Sequence, residues 1–181
     1  VPETDPLEVG ERPIEAEALA PDSEKTARLV RSFVEQVRNV LKDQEPANMV
    51  LLRGFSQLPD WPTMQEAFGL RAVAIAMYPM YRGVAKLVGM DALPASKTVA
   101  EEMDKLEEHW DTYDFHFVHV KRIDSAGEDG DFDRRLALIE EADALIPRIL
   151  DLEPDVLVVT GDHSTPAKMR YQCGNPYNYE L

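Results

Sequence analysis

Two groups of polar residues in the second half of the chain are of the types that bind divalent metal ions. The first group contains Asp124, Glu128 and Asp129 beside Lys121, and the second contains Asp162, His163, Ser164 and Thr165. Carboxylate oxygens combined with an imidazole nitrogen suit Mn²⁺, Zn²⁺ or Mg²⁺. Two such ions about 3.5–4 Å apart hold the attacking and leaving oxygens of a phosphoryl transfer. The residue types therefore indicate metal-assisted chemistry at a phosphate ester.

Each group follows a segment that we predict to be a β-strand. Residues 115–120 are aromatic and β-branched, which predicts a strand buried on both faces, and residues 155–160 form a second apolar run. An acidic, glycine-containing loop at residues 124–131 and a helix from Asp133, which Pro147 kinks or splits near its end, are expected between them. Strand, helix and strand in this order predict two parallel strands. Because the carboxyl ends of parallel strands meet at one edge of a sheet, we expect the two polar groups to converge there.

The rest of the chain also predicts short strands and helices, so the expected fold class is α/β with a parallel sheet. Helices are expected from Asp22 or Ser23 to Leu41, through Glu66 and Phe68, over residues 81–88, and over residues 95–110 with Ser96 as N-cap; strands are expected at residues 48–53 and 70–76.

Composition narrows the classes of partner. The chain has 34 acidic and 19 basic residues and a formal charge of −15, which argues against duplex nucleic acid. An anionic substrate would need local cations, such as bound metal, in this repulsive field. No apolar run reaches the about 18 residues of a membrane-spanning helix, and Cys173 is the single cysteine, so it has no partner for a disulfide within the chain. We expect a soluble, cytoplasmic protein.

Each polar group also has a simpler interpretation. The acidic residues 124–131 could form a solvated loop, and Asp162 with His163 could be a helix cap followed by a surface imidazole. A calcium loop of the EF-hand type is not indicated, because the glutamate required at its twelfth position is missing. The coincidence of both groups at one predicted sheet edge favours a metal site.

Longer motifs surround these residues and resemble a known family. Residues 119–132 (HVKRIDSAGEDGDF), 139–143 (IEEAD) and 158–166 (VVTGDHSTP) are similar to the bisphosphoglycerate-independent phosphoglycerate mutases, in the archaeal-type branch of the alkaline phosphatase superfamily. The likeness is strongest from about residue 113 to residue 169. It implies a partial chain, with residues 1–55 in a substrate-side insertion domain and its return segment, and residues 56–181 in an alkaline-phosphatase-like metal-binding domain.

The resemblance implies a metal-dependent isomerase that interconverts 3-phosphoglycerate and 2-phosphoglycerate through a phosphoserine. It implies two divalent ions, with Mn²⁺ favoured and Zn²⁺, Co²⁺ or Mg²⁺ as alternatives. Asp162 and His163 would bind one ion, and Asp124 and Glu128 the other. The nucleophilic serine is expected upstream of Val1. A small phosphorylated substrate is expected, without nucleic acid or membrane, and the oligomeric state is left open.

Two positions depart from the family pattern. Glu128 stands where a histidine is commoner, which favours Mn²⁺ over Zn²⁺, and Gln172 stands where a further histidine ligand is expected. These departures keep open a non-catalytic metal-binding paralogue as an alternative. A related phosphatase or phosphotransferase of the same superfamily is a second alternative. Candidate substrate-binding residues are Arg53, Arg82 and Lys121, although arginines at strand ends also pair with surface acids.

Overall fold

The structure is a computed structural model that describes residues 1, 3–6, 11–161 and 163–168. The chain divides into two compact units, Val1–Leu58 and Pro59–Leu181. The first unit contains the helix α1 (Glu24–Leu41). The second contains α2 (Met64–Phe68), β1 (Ala72–Ala76), α3 (Pro79–Leu87), β2 (Asp91–Ala92), α4 (Val99–His109), β3 (Phe115–His119), α5 (Arg122–Glu128), α6 (Phe132–Asp143) and α7 (Ile146–Leu150).

Helix α1 follows the predicted N-cap residue Ser23 and has the predicted length. Its buried positions are Ala27 and Val30, which belong to the apolar face of the helix. Arg31 donates a hydrogen bond of 2.7 Å to the carbonyl of Ala16, so the segment before the helix is tied to its side. The prediction of this helix is confirmed.

The predicted strand at residues 48–53 is wrong. Leu52 instead exchanges hydrogen bonds with Thr4, whose N–H donates to the Leu52 carbonyl at 2.9 Å and whose Oγ1 accepts from the Leu52 N–H at 2.7 Å. A strand requires a ladder of backbone hydrogen bonds along a neighbour, whereas Leu52 is the only residue of this segment whose backbone forms hydrogen bonds in the described structure. Leu51 is 48% exposed, so the expected burial also fails.

The second unit is built on a three-stranded parallel sheet with the order β2-β1-β3. The central strand β1 is buried at all five residues, and Ala74 in it pairs with Phe117 of β3. The predicted α/β class and parallel sheet are confirmed. Strand β3 lies at an edge of the described sheet and is half-buried, with Phe115 38% exposed, so burial on both of its faces was wrongly predicted.

Side chains alternate between the two faces of β1, and each face has its own apolar cluster. Ala72 and Ala74 pack with Ala85 of α3 and with Met90. Ile75 packs with a second cluster, whose members are Met103 and Leu106 from α4, Leu145, Ile149 and Leu152 from the α7 region, and Leu93, Trp110 and Val118. Helices therefore cover both faces of the central strand, which is the arrangement of an α/β protein.

Local signals mark most of the helix ends. Gly69 ends α2 with a φ of 71°, a left-handed conformation that favours glycine. Helix α4 begins three residues after the predicted cap Ser96, because Thr98 Oγ1 accepts a hydrogen bond from the Glu101 N–H at 3.2 Å. Ser96 is buried and accepts a bond from Lys105 instead.

Two predictions in the last third of the chain are corrected. The acidic stretch 124–131, expected as a loop, begins within helix α5 and turns only at residues 129–131. Residues 155–160 form no strand, and Val156, Val158 and Val159 are each more than 70% exposed. The predicted pairing of this segment with residues 115–120 is therefore absent from the described structure. The helix break at Pro147 is confirmed, since Pro147 lies in the first turn of α7.

Among the described residues, no helix has the length and apolar character needed to cross a membrane.

Candidate metal centre

The candidate site lies at the carboxyl edge of the parallel sheet. Strand β1 ends at Ala76 and leads to Tyr78, and strand β3 ends at His119 and leads to Lys121. The Lys121 ammonium lies 5.3 Å from the centre of the Tyr78 ring, and the Tyr81 ring stacks on His119 at 3.8 Å. The segments that follow two neighbouring parallel strands therefore meet, as the topology requires.

Helix α5 presents two of the predicted ligands on one face. Asp124 and Glu128 are four residues apart, which places their side chains on the same side of a helix. The Lys121 ammonium forms an ion pair with Asp124 Oδ2 and lies 3.8 Å from Glu128 Oε2. The side chains of Lys121 and Asp124 are each 18% exposed, so this cation is enclosed between two acids.

The segment after Gly161 reaches the same aspartate. Thr165 Oγ1 donates a hydrogen bond to Asp124 Oδ1, and His163 Nδ1 lies 4.0 Å from that oxygen. Thr165 Oγ1 and His163 Nδ1 are themselves 3.1 Å apart. Asp162, the fourth predicted ligand, lies outside the described residues. The structure thus brings Asp124 and His163 together, and the ligand roles stay predictions.

Gly127 explains how the two segments come so close. A Cβ at this position would overlap the carbonyl oxygen of Thr165 and lie 3.0 Å from its Cγ2. Arg135 of α6 donates a hydrogen bond to the same carbonyl. The glycine in helix α5 and the arginine in helix α6 therefore seat the segment at residues 163–165.

Asp124 and Lys121 keep each other ionised. Burial pushes the pKa of Asp124 upward, but hydrogen bonds from Lys121 and Thr165 outweigh it and leave the pKa below its ordinary value. Burial also lowers the pKa of Lys121, while the bond to Asp124 and the charges of Asp124 and Glu128 raise it above its ordinary value overall. At neutral pH the site therefore contains a carboxylate and an ammonium in contact.

The donor chemistry fits a divalent cation. Asp124, Glu128 and His163 supply carboxylate oxygens and an imidazole nitrogen, and a positive charge already lies between the two carboxylates. Within residues 11–161 and 163–168, three acidic, histidine or cysteine side chains do not come close enough together to form a complete ligand set. The described residues therefore provide part of a centre, to which Asp162 is the predicted addition.

The two predicted arginines lie in different units. Arg53 belongs to the first unit and pairs with Glu3 at 3.7 Å and Asp5 at 3.4 Å, the surface pairing that was its alternative interpretation. Arg82 lies on α3, directly after the carboxyl end of β1, and its Nε is buried without a hydrogen-bond partner among the described residues. Arg82 is thus on the same edge of the sheet as the candidate centre.

Sequence reasoning missed three residues at this site. Thr165 was placed in the second polar group without a specific role, and Arg135 was not considered. Tyr78 follows a predicted strand, so the rule that found Lys121 could also have found it. The role of Arg135 depends on a contact across 30 residues of sequence, for which the sequence carries no local signal.

Comparison with known proteins places the chain in a family. Residues 37–172 match the family described as the Metalloenzyme superfamily. Since this match covers more than half of the chain, the chain belongs to the Metalloenzyme superfamily. Among solved structures, the chain is similar to the PH0037 protein from Pyrococcus horikoshii, with a TM-score of 0.69 and 31% identity over 84% of this chain and 46% of that one.

Curated relatives carry a more specific name. A protein from Aquifex aeolicus is 46% identical over 175 residues, 96% of this chain and 43% of the relative. One from Thermotoga neapolitana is 49% identical over 176 residues, 97% of this chain and 44% of the relative. Both are named probable 2,3-bisphosphoglycerate-independent phosphoglycerate mutase, which confirms the predicted resemblance. The chain spans less than half the length of these relatives.

Proposed function

We propose that this chain is the metal-binding part of a phosphoglycerate mutase that interconverts 3-phosphoglycerate and 2-phosphoglycerate through a phosphoserine intermediate. The observation that carries the proposal is the meeting of two sequence motifs at Asp124, whose Oδ1 lies 4.0 Å from His163 Nδ1. Membership of the Metalloenzyme superfamily and the names of the relatives support the same activity. A cytoplasmic location is part of the proposal.

Four residues would hold two divalent ions, Asp124 and Glu128 for one and Asp162 and His163 for the other. Bound ions would neutralise phosphoryl oxygens and hold the attacking and leaving oxygens in line. Mn²⁺ is preferred because an all-carboxylate pair is a hard ligand set. The hydrogen bond from Thr165 to Asp124 would fix the orientation of that carboxylate.

Cations would bind the anionic groups of the substrate. Arg82 suits this role because its guanidinium has an unused, buried donor within the described structure and can form paired bonds to a carboxylate or phosphate. Lys121 supplies a charge at the edge of the site. Arg53 would have to exchange its bonds to Glu3 and Asp5 for substrate. In the same proposal, residues 1–55 belong to a substrate-side domain and residues 56–181 to the metal-binding domain.

The test is an assay of the full-length protein that contains this chain, supplied with 3-phosphoglycerate and Mn²⁺. Formation of 2-phosphoglycerate, followed by ³¹P nuclear magnetic resonance, is expected. Asp124→Asn should reduce the rate at least about 100-fold, because it removes a charged ligand whose loss affects both metal and phosphate. Asp111→Asn is the matched control, since Asp111 is exposed and outside the site.

Other outcomes separate the alternatives. Absence of the isomer with Mn²⁺, Co²⁺ and Zn²⁺ would exclude the mutase. Release of free phosphate, instead of the isomeric ester, would favour a phosphatase. Metal binding without turnover of any phosphoester would favour the non-catalytic paralogue.

A further inference from the structure

The Lys121 ammonium lies between Asp124 and Glu128, the two residues proposed to bind one metal ion. The ammonium contacts Asp124 Oδ2 and lies 3.8 Å from Glu128 Oε2. The Tyr78 ring lies 5.3 Å from the ammonium, a distance at which an aromatic face attracts a cation. Three groups from two sheet-edge segments thus hold one positive charge.

The two oxygens of Asp124 face different neighbours. Oδ1 accepts from Thr165 and faces His163, whereas Oδ2 accepts from Lys121 on the side of Glu128. A divalent ion held between Asp124 and Glu128 would take the place of the ammonium, which lies between these two carboxylates. Since like charges in contact repel strongly when they are partly buried, the ammonium and that ion exclude each other.

We infer that Lys121 is an internal competitor for the metal site formed by Asp124 and Glu128, so that a metal binds there only when the lysine leaves. The inference rests on the ligand assignment in the proposed function. A lysine suits the role because its ammonium is a point charge on a flexible stem and can move without disturbing helix α5. The enclosed lysine lowers the affinity of the site for the metal ion. When no metal ion is bound, the lysine supplies the positive charge that balances Asp124.

The test is a calorimetric titration of the protein with Mn²⁺, which requires no substrate. Lys121→Met is expected to bind Mn²⁺ about tenfold more tightly than the unmodified protein, because binding no longer has to break one charge-assisted hydrogen bond. Lys121→Gln is a second neutral variant, and circular dichroism checks that both fold. Lys121→Arg keeps the charge and should stay within about threefold of the unmodified protein. Lys86→Met removes the same charge from an exposed site on α3 and should leave the affinity unchanged.

The results also separate this inference from the proposed function. If the neutral Lys121 variants bind Mn²⁺ no more tightly than Lys86→Met, or if Lys121→Arg binds as tightly as they do, the competitor role is refuted and the ligand assignment stands. If no variant binds Mn²⁺ at all, both are refuted. A second readout is thermal melting in chelator, where Lys121→Met should melt below the unmodified protein and recover when Mn²⁺ is added.

Discussion

The buried side chain of Glu102 predicts an unusual dependence of stability on pH. Glu102 lies on α4, is 0% exposed, and neither of its carboxyl oxygens has a hydrogen-bond partner among the described residues. Burial raises its pKa from 4.5 to about 7, while the Met77 N–H and the Lys105 ammonium favour the charged form more weakly. The replacement to make is Glu102→Gln, which keeps the shape and removes the ionisation.

The sign and size of the effect follow from linkage. Between pH 4.5 and about 7 the folded chain keeps a proton that the unfolded chain has released, so stability falls as pH rises through this window and levels off above it. At about 1.36 kcal/mol per pH unit the full loss is about 3 kcal/mol. Relaxation and water entry reduce the effect, so Glu102→Gln should gain about 2 kcal/mol relative to the unmodified protein on going from pH 5 to pH 8.5.

Urea unfolding followed by tryptophan fluorescence measures this difference in the free energy of unfolding for the second unit of the chain, which contains Glu102. Trp61 and Trp110 are the two tryptophans of the chain, and both belong to Pro59–Leu181. Comparing variant and unmodified protein at each pH cancels the titration of other groups. Glu108→Gln, an exposed neighbour on the same helix, is the control and should show no such trend. Equal stability differences at pH 5 and pH 8.5 for Glu102→Gln would refute the reasoning.

Further replacements test the packing around the site and the helix ends. Gly127→Ala should destabilise the second unit by about 1–3 kcal/mol and weaken Mn²⁺ binding, because its methyl group would overlap the Thr165 carbonyl. Gly83→Ala is its matched control, since the added carbon would have no atom within 4 Å apart from its chain neighbours and the backbone of its own helix, and it should stabilise α3 by about 0.5–1 kcal/mol. Thr98→Ala should cost about 1 kcal/mol in urea unfolding, because the Glu101 N–H loses its cap. Equal effects of the two glycine replacements would contradict the close contact at Gly127.

Sequence patterns correctly predicted the helices whose formation depends on residues near them in the sequence. Helix α1 was predicted from the periodic spacing of its apolar residues, and α2 was predicted through Glu66 and Phe68. In the structure a capping box of Thr63 and Glu66 begins α2, and Gly69 ends it. The strand predictions that failed are the two apolar runs at residues 48–53 and 155–160. Apolar residues predict a strand only if a neighbouring strand is there to bond with, and that neighbour is a property of the whole fold. Residues 156–159 therefore keep a strand-like sequence while exposed in the described structure.

The two polar groups of the candidate site meet through an arrangement that differs from the predicted one. The two motifs were expected to meet because two parallel strands would carry them to one edge, yet the second strand is not formed. They meet instead because Asp124 and Gly127 lie on a helix against which residues 163–165 pack directly. A loop would hold Asp124 and Glu128 at no fixed separation, whereas a helix sets four residues at about one turn. The spacing of the acids was therefore a helical signal, and the small residue between them was the sign that another part of the chain must lie close.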